Sequence, residues 1–117
     1  MTRMDLTGIG LNVDRAGEGP LLLFLHGFPE FWAAWRRPMA YFAERGWLCV
    51  APDLRGYNLS DKPGGVEAYR VKHLVADVLA LGSHYAGEKF TLVAHDWGGA
   101  LAWAVAIGEA GKPVQKL

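Results

Sequence analysis

The sequence predicts an α/β protein with a mostly parallel sheet and flanking helices. Short apolar runs typical of buried strands alternate along the chain with longer stretches of helical periodicity. This alternation favours parallel strands joined by right-handed crossovers, with a site at the carboxyl ends of the strands. The 117 residues carry no net charge and are 51% hydrophobic, so we expect one domain spanning 1–117.

The first elements are predicted to be a hairpin, a buried strand and a helix. Apolar and polar residues alternate over 9–14, which is typical of a half-buried strand, here paired with 3–6. Residues 21–25 form a continuous apolar run, which predicts a strand buried on both faces. Pro38 is expected near the start of a helix that ends at Gly46, because proline is tolerated in the first helical turn.

Two strand and helix pairs follow. A strand is predicted over 47–51 and a helix over 68–85, where apolar residues recur at helical spacing. A strand over 90–94 and a helix over 97–109 continue the alternation, and 114–117 predict the start of one more strand.

The turn between the last strand and helix pair carries a single carboxylate. Residues 94–99 read A-H-D-W-G-G, and small residues on both sides of Asp96 allow a strand and a helix to approach closely. This is the geometry of a nucleophile elbow with aspartate in place of serine. Such a carboxylate is ionised at pH 7 and suits attack on a saturated carbon. Alternatively, Asp96 only caps the following helix.

A second motif, H-G-F-P-E over 26–30, follows the buried run that ends at Leu25. Gly27 is expected to allow an unusual turn, after which the amide of Phe28 points into the pocket. Together with the amide of Trp97 it would form a two-donor oxyanion hole. The alternative is an ordinary turn with a satisfied histidine. Five further residues are predicted to line the substrate pocket: His26, Pro29, Trp32, Trp35 and His95.

A third motif, P-D-L-R-G-Y-N-L-S-D-K-P over 52–63, predicts a structured loop at the same end of the sheet. Asp53 and Arg55 are expected to brace this loop as an ion pair rather than to contact substrate. His73 and Asp77 have the i,i+4 spacing of two metal ligands, but they lack a third ligand nearby. We expect them to form a solvated pair, and we predict no metal and no cofactor.

The three motifs, in this order, make the chain resemble the amino-terminal part of an α/β-hydrolase of the epoxide hydrolase and haloalkane dehalogenase group. The likeness runs from about Ile9 to the carboxyl terminus. It implies that Asp96 is the nucleophile and that the amides of Phe28 and Trp97 form the oxyanion hole. It also implies that an epoxide ring is opened through a hydroxyalkyl ester.

Differences within the motifs favour one branch of this group. Haloalkane dehalogenases usually have Asn or Glu at the position of Phe28, and fluoroacetate dehalogenases typically have Arg where Trp97 and Ala100 stand. The resemblance therefore implies an epoxide hydrolase that acts on a small, uncharged, hydrophobic substrate. A haloalkane dehalogenase is the alternative, because the indole N–H of Trp97 can also bind a halide.

Members of the group are more than twice as long as this chain. By the resemblance, the cap domain, the later acid and the histidine base would lie beyond these 117 residues, and neither His26 nor His95 is positioned as that base. We therefore expect an incomplete fragment without turnover, or a non-enzyme that only folds or pairs with another chain. We also expect self-association through the open sheet edge, because apolar faces of Leu92, Val105 and Leu117 would lack cover.

Other sequence features narrow the possible partners. The zero net charge and the absence of a basic cluster give no support to nucleic-acid binding. No apolar run is long enough to cross a membrane. The single cysteine, Cys49, lies in a predicted strand, which suits a reducing cytoplasm.

Overall fold

The described residues form a six-stranded sheet with helices on both faces. The computed structural model describes residues 2–6, 8–28, 30–86, 89–108 and 114–116. The strands are β1 (Thr2–Leu6), β2 (Ile9–Ala16), β3 (Leu21–Leu25), β4 (Leu48–Pro52), β5 (Phe90–Ala94) and β6 (Val114–Lys116). The α-helices are α1 (Arg36–Ala43), α2 (Val71–Tyr85) and α3 (Trp97–Ile107). Short 3-10 helices lie at Trp32–Trp35 and Glu67–Tyr69.

The strand order is β1-β2-β4-β3-β5-β6. Strand β2 pairs antiparallel with β1, as the hairpin prediction requires, and antiparallel with β4. The pairings of β3 with β4, of β3 with β5 and of β5 with β6 are parallel. The predicted α/β class with a mostly parallel sheet is therefore confirmed.

Strand β3 contributes side chains to both of the hydrophobic clusters that the described residues form, one on each face of the sheet. All five of its side chains are buried, and they alternate between the two faces of the sheet. Leu21, Leu23 and Leu25 belong to the larger cluster, which also holds buried residues of α2 and α3. Leu22 and Phe24 belong to the smaller cluster, which includes Met39 of α1. This alternation explains the continuous apolar run.

The second helix begins later than the sequence predicts. The prediction starts it at residue 68, whereas α2 begins at Val71 after the 3-10 turn of 67–69 and an extended Arg70 with ψ 146°. The carbonyl of Ala68 accepts a hydrogen bond from Arg55 at 2.9 Å. That long-range contact fixes the segment outside the helix, which local periodicity cannot reveal. In contrast, Pro38 lies in the first turn of α1 as predicted.

The exposed apolar surface differs from the predicted one. Leu92 and Val105 are buried rather than uncovered, because α3 packs against the larger cluster. The large apolar side chains that α3 exposes are Trp97, at the start of the helix, and Trp103 and Ile107 farther along it. Leu117 lies outside the described residues.

The chain reverses its direction across the sheet at β3. It moves from β3 to β4 on one side and then returns to β5 on the other side. A crevice therefore forms beyond the carboxyl ends of β3 and β5, where open parallel sheets bind ligands. Among the described residues, no helix has the length and apolarity needed to cross a membrane.

Candidate active site

Asp96 occupies a strained turn between β5 and α3. Its φ is 58° and its ψ is −122°, and among the described non-glycine residues only Asn58 shares a positive φ. A conformation of this kind costs about 1 to 3 kcal/mol and is typically retained at functional sites. The side chain makes no capping hydrogen bond to α3. Instead, its Oδ2 accepts a hydrogen bond of 3.1 Å from the amide of Phe28.

Two glycines allow the surrounding segments to meet. A Cβ on Gly27 would lie 2.6 Å from the Cβ of Asp96, and a Cβ on Gly98 would lie 2.4 Å from the carbonyl oxygens of Leu25 and His26. Gly27 does not have a positive φ, so close approach, and not the predicted unusual turn, explains this glycine. Gly99 faces no atom within 4 Å, so of the two glycines after Asp96 only Gly98 is required by close packing.

The backbone around Asp96 favours its ionised form. The amide of Trp97, the amide of Phe28 and the charge of His95 lower the pKa of the Asp96 carboxyl from its ordinary value of 3.8. The carboxylate is also exposed. Asp96 is therefore negatively charged at neutral pH and accessible from solvent.

The space above Asp96 is an open cleft of about 580 Å³ lined by Phe28, Tyr57, Asp96 and Trp97. A neighbouring cleft of about 360 Å³ shares the three aromatic residues. The sequence reasoning missed Tyr57. Its position in a loop that follows β4, at the sheet edge where the other motifs meet, was the available signal. Burial and the charge of Asp96 raise the pKa of Tyr57, so its phenol is neutral.

His26 lies beneath the cleft and not in its wall. Its side chain is fully buried, and its Nε2 accepts a hydrogen bond of 3.0 Å from the amide of Leu54. Its Nδ1 lies 2.9 Å from the carbonyl oxygen of Gly27. Burial lowers the pKa of His26. The ring packs edge-on against Tyr57 with 4.8 Å between centroids, so it supports a lining residue.

The other predicted pocket residues have different surroundings. His95 is exposed, its Nδ1 lies 3.5 Å from Oε1 of Glu30, and it is not among the residues that line the two clefts. Trp32 and Trp35 pack on the smaller cluster beside α1. Phe24 of β3 belongs to this cluster, and its ring centroid lies 5.2 Å from that of Trp35. The structure therefore does not bring these two tryptophans to the clefts described above. Pro29 lies outside the described residues.

The loop after β4 is braced, although not by the predicted pair. Arg55 forms two hydrogen bonds, of 2.8 and 2.9 Å, with the carboxylate of Asp77 and not with that of Asp53. Asp77 is buried, so the expected solvated pair with His73 is wrong. Its burial raises the pKa of Asp77, against the opposing effect of Arg55. Among the described residues, no three His, Cys, Asp or Glu side chains cluster as metal ligands.

Comparison with known proteins gives a consistent result. The chain is 46% identical over 105 residues to the AB hydrolase superfamily protein YfhM of Bacillus subtilis, a match that covers 88% of this chain and 37% of that protein. It is 48% identical over 89 residues to epoxide hydrolase 1 of Caenorhabditis elegans, covering 76% of this chain and 22% of that protein.

Solved structures show the same likeness in three dimensions. A mutant of a Vigna radiata epoxide hydrolase superposes with a TM-score of 0.93 at 38% identity, covering 97% of this chain and 36% of that chain. A mutant of an epoxide hydrolase from Bacillus megaterium gives a TM-score of 0.93 at 40% identity, covering 99% and 40%. The chain thus spans less than half the length of these relatives.

The sheet order, the strained aspartate and the crevice at the strand ends agree with the family match. The sequence profile described as the alpha/beta hydrolase fold matches residues 20–117. With the epoxide hydrolases among its relatives, this chain belongs to the α/β hydrolase fold family.

Proposed function

We propose that this chain carries the nucleophile and the oxyanion donors of an epoxide hydrolase, as part of a hydrolase core over 1–117. The observation that carries the proposal is the ionised carboxylate of Asp96. It is held in a strained turn, and the amide of Phe28 lies 3.1 Å from Oδ2. We assign the amide of Trp97 as the second donor, because it adjoins Asp96 in the chain and lowers the pKa of its carboxyl.

The two carboxylate oxygens take different parts in the proposed reaction. Oδ2 accepts the hydrogen bond from the Phe28 amide, so we assign Oδ1 as the attacking oxygen. Oδ1 forms a bond to a ring carbon, the ring C–O bond breaks, and its electron pair goes to the ring oxygen, which takes a proton from water. The product is a hydroxyalkyl ester of Asp96. The amides then stabilise Oδ2 when negative charge develops on it during ester hydrolysis.

The walls of the cleft favour an uncharged, hydrophobic substrate. Phe28 is 70% exposed and Trp97 is 49% exposed, and with Tyr57 they surround Asp96. An anionic substrate would meet the charge of Asp96, and none of the four residues that line this cleft is a cation. Arg55 lines the neighbouring cleft, but its charge is paired with Asp77. The indole of Trp97 supports an alkyl halide as the alternative substrate.

We propose that this chain forms the ester but does not hydrolyse it repeatedly. Ester hydrolysis needs a general base near the bound water, most often a histidine. Of the described histidines, His26 is engaged with Leu54 and Gly27, and His95 faces Glu30. The other two, His73 and His84, lie on α2. We therefore expect a single covalent event for each molecule.

Mass spectrometry of the intact chain after incubation with excess styrene oxide tests the proposal. We expect one adduct that adds the whole epoxide mass and maps to the 94–99 peptide. Asp96→Asn should abolish this adduct. Asp5→Asn, which removes an exposed aspartate of β1, should leave it unchanged.

Three outcomes would contradict parts of the proposal. Adducts only at histidines of a folded sample would make Asp96 a structural residue, and steady diol formation would contradict the single event. An alkyl halide adds its mass minus the hydrogen halide. Modification of Asp96 by an alkyl halide but not by an epoxide would therefore favour the dehalogenase alternative.

The non-enzyme alternative and the predicted self-association share one test. We propose that copies of the chain associate through the sheet edge at β6 and the exposed Trp103 and Ile107 of α3. Light scattering at tens of micromolar should show dimers or larger species, and Trp103→Gln should reduce them. A cooperative monomer that never reacts with epoxides would indicate an inert fold.

We also propose a cytoplasmic location, because Cys49 is a buried free thiol.

A further inference from the structure

The peptide between Gly27 and Phe28 links the cleft to the interior. Its N–H, on Phe28, points to Oδ2 of Asp96. Its C=O, on Gly27, accepts a hydrogen bond of 2.9 Å from the amide of Glu30 and faces Nδ1 of His26 at 2.9 Å. A trans peptide is planar, and its N–H and C=O point in opposite directions. Whatever fixes the carbonyl therefore also fixes the direction of the amide.

The partners of His26 determine its tautomer. The amide of Leu54 can only donate, so Nε2, 3.0 Å away, must be the acceptor and must lack a proton. The single ring proton of a neutral imidazole then resides on Nδ1. That nitrogen can donate to the carbonyl oxygen of Gly27, 2.9 Å away. Both ring nitrogens are thus satisfied in the neutral form.

We propose that His26 is a positioning residue, which aims the Phe28 amide at the reacting carboxylate by holding the Gly27 carbonyl in the interior. The buried ring cannot reach substrate, so it acts only through this peptide. The bond to Leu54 fixes the ring from the other side and connects it to the loop after β4. The inference rests on the proposed function only where it assigns the Phe28 amide to the oxyanion hole.

A pair of similar substitutions separates the two bonds of His26. Asparagine places its side-chain nitrogen near the position of Nδ1, so His26→Asn retains a donor for the Gly27 carbonyl and loses the acceptor for Leu54. Glutamine reaches the position of Nε2, so His26→Gln retains the acceptor and loses the donor. Both variants leave an uncharged amide in the same buried site. They therefore differ mainly in which of the two partners they keep.

The readout is the pKa of the Asp96 carboxyl, measured by carbon-13 NMR titration of the whole chain. A Phe28 amide that no longer points to the carboxylate cannot favour its ionised form. We expect the pKa to shift upward in His26→Gln and to remain near the parent value in His26→Asn. Equal shifts in both variants, or no shift in either, would overturn the inference. A general loss of packing would not separate the two variants in this way.

Nitrogen-15 NMR of the parent chain provides a second test that needs no variant. We expect a protonated Nδ1 and a bare Nε2 on His26, and the opposite tautomer would overturn the inference even if the variants fail to fold. Neither measurement requires a reaction. If no epoxide adduct forms but the two variants differ in the pKa of Asp96 as expected, the proposed function fails and the positioning role of His26 survives. If the adduct forms but the pKa values do not differ in this way, only the positioning role of His26 is rejected.

Discussion

Two aspartates lie just beyond the carboxyl ends of β4 and β5, the two strands that flank β3, and they have opposite surroundings. Asp53 comes directly after β4 and is fully buried, whereas Asp96 comes two residues after β5 and is exposed. Four donors surround the side chain of Asp53: Nδ2 of Asn12, the amide of Trp32, Nδ2 of Asn58 and the amide of Leu59. Within the described part of the chain, the carboxylate of Asp96 accepts a hydrogen bond from the amide of Phe28, and the amide of Trp97 also lowers its pKa.

The comparison shows how one residue type serves two purposes. A carboxylate that is fully buried and accepts four hydrogen bonds can connect segments, but it cannot reach a substrate. Asp53 in this way joins β2, the segment before α1 and the loop after β4. Asp96 has an open lone pair and a strained backbone, which stability alone does not favour. The hydrogen bonds of Asp53 and the packing of the sheet offset the backbone strain at Asp96.

The largest expected effect comes from breaking the Asp53 side of the comparison. Asp53→Ala leaves the buried Nδ2 of Asn12 and the half-buried amide of Trp32 without their partner, and a buried donor left unpaired costs about 1 to 3 kcal/mol. We expect the free energy of unfolding to fall by about 3 kcal/mol, measured by urea denaturation with tryptophan fluorescence. Asp96→Ala, the matched control at the exposed position, should change it by less than about 1 kcal/mol. Equal losses in both variants would remove the distinction between the two sites.

The sequence predicts the surroundings of Asp96 better than those of Asp53. The strands over 21–25 and 90–94 are predicted with the bounds that the structure has, because each is a short, mostly apolar run that ends at a turn. The turn after β5 follows from its small residues. These features are local, so neighbouring residues are enough to reveal them.

The Asp53 side depends on contacts that are distant in sequence. The bond of Asp53 to Asn12 spans 41 residues, and the pair of Arg55 with Asp77 spans 22. Spacing cannot predict such partners, and it suggested His73 for Asp77 instead. The position of the Tyr57 loop after β4 indicates this edge of the sheet, but only the folded loop shows that the ring lies beside Asp96.

A smaller effect should follow from crowding Asp96 without changing its side chain. The Cβ of Gly27→Ala would lie 2.6 Å from the Cβ of Asp96 and 3.1 Å from the carbonyl oxygen of His95. The turn that carries Phe28 must then move away, which we expect to cost about 2 kcal/mol. The rate of Asp96 alkylation should fall as well, as followed by intact-mass spectrometry over time.

Gly99→Ala is the matched control, because a Cβ there meets no atom within 4 Å. Alanine is also favoured over glycine inside a helix by roughly 0.5 to 1 kcal/mol. This variant should therefore be slightly more stable than the parent and should react at the parent rate. A Gly27→Ala chain of parent stability and reactivity would show that the close approach of Gly27 to Asp96 is unimportant.

The smallest effect concerns pH and isolates the charge of Asp96. Its pKa is lower in the folded chain than the ordinary value of 3.8, through the amides of Trp97 and Phe28. The charged form therefore stabilises the fold above the unfolded-state pKa, and this contribution is lost as pH falls through the folded-state pKa. Asp96→Asn lacks this contribution at every pH. The difference in unfolding free energy between parent and variant should be constant near neutral pH and should shrink below about pH 4.

Asp61, whose pKa is also lowered, is present in both chains, so its titration cancels in the difference. A difference that stays constant down to pH 2 would show that the two amides do not favour the ionised carboxylate, and Asp96 would then be less distinct from an ordinary surface aspartate than the comparison with Asp53 implies.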